Sequence, residues 1–362
     1  MNYALKTRQV CLFIIAFLPL SKLFVLPSVL AKIANEDLWL CTVLSLFLDF
    51  ITLSAVLYAC KKADTDFFGL LRANFGKVGE VIVLVLFLIY FTFKAINPLT
   101  EQNEYVKLTL YTLMPTLLYF LPFFIVCFYL CTKKLRILGR AADIMWLATI
   151  IGVIILFAMS ISNADFSAIL PIGARGFNAI IKGSYKSLNW FGDSAYLLFF
   201  IGRFKYKKRD YIKIICSYLI HAVIVTSFVI IFYSIFTSIA YRQRFALTEI
   251  SKYTVVINNM GRFDYVGIML ILLSNMFSLS LPLYFSCKIL NRLFNFKRVF
   301  IAPIIVVSIQ VIIMVFLNEN ITGFISIIQD YGGIYFLIVG NILPVFSALL
   351  KPKEKIYANQ AN

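Results

Sequence analysis

Pro19-Leu20-Ser21-Lys22-Leu23-Phe24-Val25-Leu26-Pro27 lies in the middle of an apolar run from Val10 to about residue 31. A lysine at that depth costs several kcal/mol in a bilayer unless it is paired or hydrated. The two prolines bracket it, and each removes a backbone donor and breaks the helical ladder. Carbonyls freed in this way are available to a cation, a lysine or a substrate. A second stretch, Leu188-Asn189-Trp190-Phe191-Gly192-Asp193-Ser194, interrupts another apolar run with a glycine and an acid.

Working outward, apolar runs bounded by charge, Pro or Gly fall near 10–31, 38–59, 81–100, 114–131, 143–162, 187–203, 211–238, 265–290, 299–317 and 332–350. Each is close to the ~20 residues that cross a hydrocarbon core. The chain is 61% hydrophobic and 14% charged, too apolar to cover a soluble surface. The expected fold is therefore an all-α integral membrane protein of about ten helices, one polytopic domain over residues 1–362. The two breaks fall in the first and sixth runs, corresponding positions of a five-plus-five chain. That is the pointer to an inverted repeat with a midplane site, the first repeat near 10–162 and the second near 187–350.

The net charge of +17 is not gathered into one patch, which argues against nucleic acid. Alternate connections carry 23 lysines and arginines against nine on the other side. By the positive-inside rule the richer side is cytoplasmic, with both termini on it. Lys6 and Arg8 ahead of the first run resemble a signal peptide, but no small-residue cleavage site follows, and a retained helix is the preferred reading. The two long outer connections, Asn163–Lys186 and Ala240–Asp264, suit lids, partner surfaces or plain linkers.

Lys22, Asp49, Lys94 and Asp193 are the intramembrane ionisable groups. Lys22 and Asp193 are expected to face one cavity and neutralise each other, either as a ligand site or as a structural pair. Lys94 either joins that site or snorkels outward. Asp49 is expected to pair with a lysine. Ser21, Asn189, Gly192 and Asn275 complete the candidate ligand-binding set, although Asn275, with Ser278 and Ser280, equally suits helix–helix hydrogen bonding. Arg140, Asp143, Arg262 and Asp264 are candidate structural or coupling charges. His221 reads as an interior imidazole ahead of a proton relay. The seven cysteines form no C-x-x-C pair and read as packing residues. No nucleotide-binding, hydrolase or metal-ligand motif is present, so no cofactor, metal or enzymatic activity is expected.

Ile169-Leu170-Pro171-Ile172-Gly173, then Ile181-Lys182-Gly183-Ser184 and the Gly192-Asp193 break, resemble the endospore germination permease family. Leu135-Arg136-Ile137-Leu138-Gly139-Arg140-Ala141-Ala142-Asp143-Ile144 is similar to its connection before the fifth helix, and Gly261-Arg262-Phe263-Asp264-Tyr265 to its entry into the eighth. The resemblance implies the fold of the amino acid, polyamine and organocation transporters, shared with sodium-coupled amino acid transporters. It also implies an inner spore membrane, and a germinant receptor in which this B-type subunit works beside an A subunit and a lipoprotein C subunit. The chain departs from that pattern at Ser21-Lys22-Leu23, where the family usually carries glycines. A lysine there fills a cation site or meets an anionic ligand. Three functions follow as alternatives: a sensor of a small germinant such as an amino acid, a proton- or cation-coupled secondary transporter, and a structural subunit without ligand.

Overall fold

The computed structural model describes residues 5–62, 66–109, 116–202, 206–252, 264–317 and 321–349, and no strand occurs among them. The first apolar run is discontinuous. Helix α1 (Thr7–Leu12) passes through a π-type turn at Phe13–Phe17 and a single 3-10 turn at Leu20–Lys22, and helix resumes as α2 (Leu26–Ala34) with Pro27 in its first turn. Pro19 precedes the 3-10 turn and Pro27 opens the new helix, where its missing N–H has no partner to lose. Asn35, at φ 44°, interrupts the chain again before α3 (Leu38–Lys62).

Helix α4 (Phe67–Thr109) is much longer than the apolar run 81–100 that announces it. It kinks at Gly76 (φ 69°) and carries Pro98 inside. Helices α5 (Thr116–Thr132) and α6 (Leu135–Ser160) follow. The sixth run needs correcting: helix α7 (Phe177–Ser187) starts ten residues before the expected boundary at 187, so half of the supposed outer connection is helix. Non-helical backbone then runs through the break to the short α8 (Ala195–Leu198). After it come α9 (Lys208–Phe236), α10 (Ala246–Lys252), which occupies part of the second outer connection, α11 (Asp264–Phe294) and α12 (Ile301–Leu317). The chain ends in α13 (Ile321–Tyr331), α14 (Gly333–Leu337) and α15 (Leu343–Leu349), with a 59° bend between residues 331 and 333.

Among the described residues four helical stretches are long and apolar enough to cross a bilayer: Leu26–Lys61, Phe67–Lys107, Leu135–Asn163 and Arg209–Arg242. The bent pair Gly323–Tyr331 and Gly333–Leu349 makes a fifth, and Phe120–Thr132 and Ile301–Leu317 are shorter apolar helices. Exposed Ile, Val, Leu and Phe along α3, α5, α6, α9 and α12 form an outer surface suited to lipid rather than water. The chain is an all-α, multi-pass membrane protein.

The loop ahead of α7 is pinned down. Asp37, fully buried at the start of α3, accepts the backbone N–H groups of Gly173 (2.7 Å) and Arg175 (2.9 Å). Arg175 also pairs with Glu36 at 3.6 Å. Helix α7 packs against α2 and α3 so closely that a Cβ on Gly183 would lie 2.5 Å from Cys41 Sγ.

Candidate functional site at the two helix breaks

Both breaks meet at one buried charge cluster. Asp193 binds Lys22 Nζ through Oδ2, and through Oδ1 it binds Lys94 Nζ at 2.9 Å. The two ammonium groups also hold the carbonyls that the breaks set free: Lys22 Nζ donates to Leu18 O at 3.0 Å and Lys94 Nζ to Phe191 O at 2.5 Å. Each lysine therefore neutralises Asp193 and replaces helical hydrogen bonds lost at a break, which satisfies backbone where no water is available. The Phe191 ring lies 5.3 Å from Lys22 Nζ and the Tyr90 ring 5.8 Å from Lys94 Nζ, so the cations also face π-electron density.

Gly192 shapes the second break. Its φ of 84° favours glycine, and a Cβ there would lie 2.5 Å from Tyr90 Oη and 3.3 Å from Gly340 Cα. Tyr90 Oη donates to Gly192 O at 2.8 Å, and Ser194 Oγ donates to the Asp49 carbonyl at 2.9 Å. At the first break Phe24 O accepts the N–H of Ala246 at 2.8 Å, tying it to α10.

A small cavity of about 30 Å³ adjoins the cluster, bordered by Ser21, Lys94, Asn97, Asn189, Asp193 and Tyr196 among others. That is room for a water molecule, not for an amino acid. Asn97 Oδ1 and both side-chain polar atoms of Asn189 are buried there without a hydrogen-bond partner among the described residues. Pro98 of α4 and Pro282 of α11 line the same space. Tyr196, which borders the cavity, stacks on Phe91 (5.4 Å, 11°), and Phe285 lies 6.2 Å from Tyr196 and 5.2 Å from Phe199.

The structure thus brings Lys22, Lys94, Asn189, Gly192, Asp193 and Ser21 together. Lys94 is buried and paired, so the snorkelling alternative falls. Asp49 does not behave as expected: its buried carboxylate has no hydrogen-bond partner among the described residues, although it feels the charges of Asp193, Lys22 and Lys94. The two oxygens of Asp193 and the freed carbonyls have already taken both lysines. Asp143 lies elsewhere, bound to Arg8 (2.8 Å) and Gln9 Nε2 (2.8 Å), and Arg140 is exposed at the start of α6. His221 is buried beside Tyr218, with neither ring nitrogen hydrogen-bonded among the described residues. Arg262 lies outside the described residues, as do the side chains of Asn275 and Asp264 on α11. Among the described residues no group of His, Cys, Asp or Glu is arranged to hold a metal ion.

The model of the spore germination protein family matches residues 4–322, from the first broken helix to the start of α13. The chain belongs to this family. A search of curated proteins finds no match. In this germination protein, then, two broken helices and α4 converge on one acid held by two lysines. Tyr90 and Glu101, which accepts Trp190 Nε1 at 2.8 Å, escaped sequence reading. Glu101 carried a signal in its charge beside an apolar run, whereas Tyr90 is one of 20 tyrosines with nothing in its neighbours to single it out.

Proposed function

We propose that the chain is the membrane subunit of a spore germinant receptor, binding a small zwitterionic nutrient, such as an amino acid, where the two breaks meet. The observation that carries this reading is Asp193 held between Lys22 and Lys94 beside polar atoms of Asn97 and Asn189 that have no hydrogen-bond partner among the described residues. A zwitterion brings one charge of each sign. Its ammonium can replace a lysine on Asp193 while its carboxylate takes the displaced lysine, so the exchange leaves no net buried charge. The cavity is too small for the ligand in this conformation, so binding requires the broken segments to part. A ligand that binds only the parted state shifts the equilibrium between the two, which is what a sensor needs. Partner A and lipoprotein C subunits would read that shift in an inner spore membrane, with both termini cytoplasmic and ten crossings in two inverted halves.

The unpartnered Asp49 carboxylate beside this cluster supports a second reading, a transporter in which Asp49 carries a coupling proton. Melting of the purified chain should rise with at least one compound from a panel of amino acids, sugars and small anions. Asn189→Ala should reduce that rise about tenfold in ligand concentration while the ligand-free melting temperature stays close to wild type. No shift with any compound would overturn the binding role. A shift accompanied by uptake into vesicles favours the transporter.

A further inference from the structure

A second and larger cavity opens at the end of the molecule where α6 begins. It encloses about 620 Å³ between α4, α6, the segment after α8 and the last turns of α11. Its walls carry four cationic side chains, Lys134, Arg136, Arg140 and Lys288, over a buried floor of Phe199, Tyr284 and Phe285. No carboxylate lines it among the described residues. The first turn of α6 likewise holds no acid, and Lys134 stands at its N-cap position. Lys134 and Arg140, at the positive end of the α6 dipole, repel the dipole and each other, and a bound anion removes that repulsion. The one acid farther along, Asp143, is turned away to Arg8 and Gln9.

We infer that this cavity binds a phosphate-bearing anion, with the headgroup of an anionic phospholipid as the source that the surroundings favour. The volume suits a headgroup. Ile137 lines the cavity and is exposed, and Ile144 and Ile151 continue from it down the exposed face of α6 at seven-residue spacing. An acyl chain has that stripe to lie along while its phosphate sits among Lys134, Arg136, Arg140 and Lys288. Basic pockets between membrane helices at the headgroup level take anionic lipids in this way. Phe285, on the floor of this cavity, also stacks on Tyr196, which borders the small cavity at the charge cluster, so the two cavities share one aromatic wall.

The test is native mass spectrometry and thermal melting of the purified chain with phosphatidylglycerol, phosphatidylcholine or inorganic phosphate. Lys134→Gln/Arg140→Gln alters the cavity. Lys297→Gln/Arg298→Gln removes two exposed charges that do not line it, between α11 and α12. The expected result is a retained phosphatidylglycerol adduct, at least tenfold weaker in the cavity variant and unchanged in the control. Protection by inorganic phosphate without a lipid adduct, again lost only in the cavity variant, assigns the same cations to a soluble phosphate. Equal loss in both variants, or retention in both, overturns the site.

Discussion

At the scale of single residues, the cluster makes a ranked prediction. Asp193 is the only anion that hydrogen-bonds Lys22 and Lys94 among the described residues, so Asp193→Asn leaves two buried ammonium groups facing one neutral amide. Breaking a buried pair in this way costs about 3–5 kcal/mol. Lys22→Met should cost less, because Lys94 still neutralises Asp193. The double variant should be more stable than the sum of the singles by at least about 1 kcal/mol, since the second change removes one of the stranded cations. Unfolding in detergent measures all three. Asp193→Asn as stable as wild type would show that the cluster is solvated and that its pairing does not hold the breaks together. The fate of Lys94 was not legible beforehand: a lysine near a helix end reads the same whether it snorkels or pairs, until the partner break is placed beside it. Asp49 was misread for the opposite reason, since counting two acids and two lysines suggests two pairs, and geometry gave both lysines to one acid.

At the scale of elements, apolar runs located the helices wherever lipid faces them and failed where polar side chains are buried against protein. Helix α7 reads Phe177-Asn178-Ala179-Ile180-Ile181-Lys182-Gly183-Ser184-Tyr185-Lys186-Ser187, too mixed to register as a span, because one side packs on α2 and α3 through Gly183 and Ser184. The far end of α4 escaped likewise: Glu101, Gln102 and Asn103 are buried polar residues in a helix that had been expected to end at 100. The two broken helices were legible because Pro and Gly act through the backbone, whatever surrounds them. The loop before α7 gives the prediction for this scale. Asp37→Ala removes the acceptor for two backbone N–H groups, each a charge-assisted bond worth about 1.5–3 kcal/mol. The segment around residues 170–176 should loosen by roughly 3–6 kcal/mol, and trypsin should cleave after Arg175 at least tenfold faster than in wild type. An unchanged cleavage rate would mean that packing of α7 alone holds the loop.

At the scale of the whole molecule, the ion pairs carry information about the path through the membrane. Numbering connections by the crossings that precede them in the ten-helix reading, the ion pair Arg8–Asp143 joins none to four and Glu80–Arg292 two to eight, and the Thr7 hydroxyl, which donates to Asp210, joins none to six. On the other side Glu36 pairs with Arg175, Glu104 with Arg244 and Asp330 with Lys186, all after an odd number of crossings. Partners in a salt bridge must lie at the same membrane level, and the proposed ten-crossing path meets that requirement: even meets even and odd meets odd. It agrees with the distribution of lysine and arginine along the sequence, which does not depend on contacts. The decisive measurement uses single cysteines at two exposed positions, Arg175→Cys and Arg298→Cys, in a background lacking the seven native cysteines. In the proposed ten-crossing path three crossings separate them: the broken α7–α8 segment, α9 and α11. A membrane-impermeant maleimide applied to intact cells should label position 175 and reach 298 only after permeabilisation. Labelling of both from outside would mean that one of the three does not cross, and the broken segment, whose two halves are joined by seven non-helical residues from 188 to 194, would be the first to re-examine as a re-entrant loop. Labelling of 298 alone would keep all three crossings and invert the molecule, putting its basic cavity on the outer side and removing the positive-inside argument for its orientation.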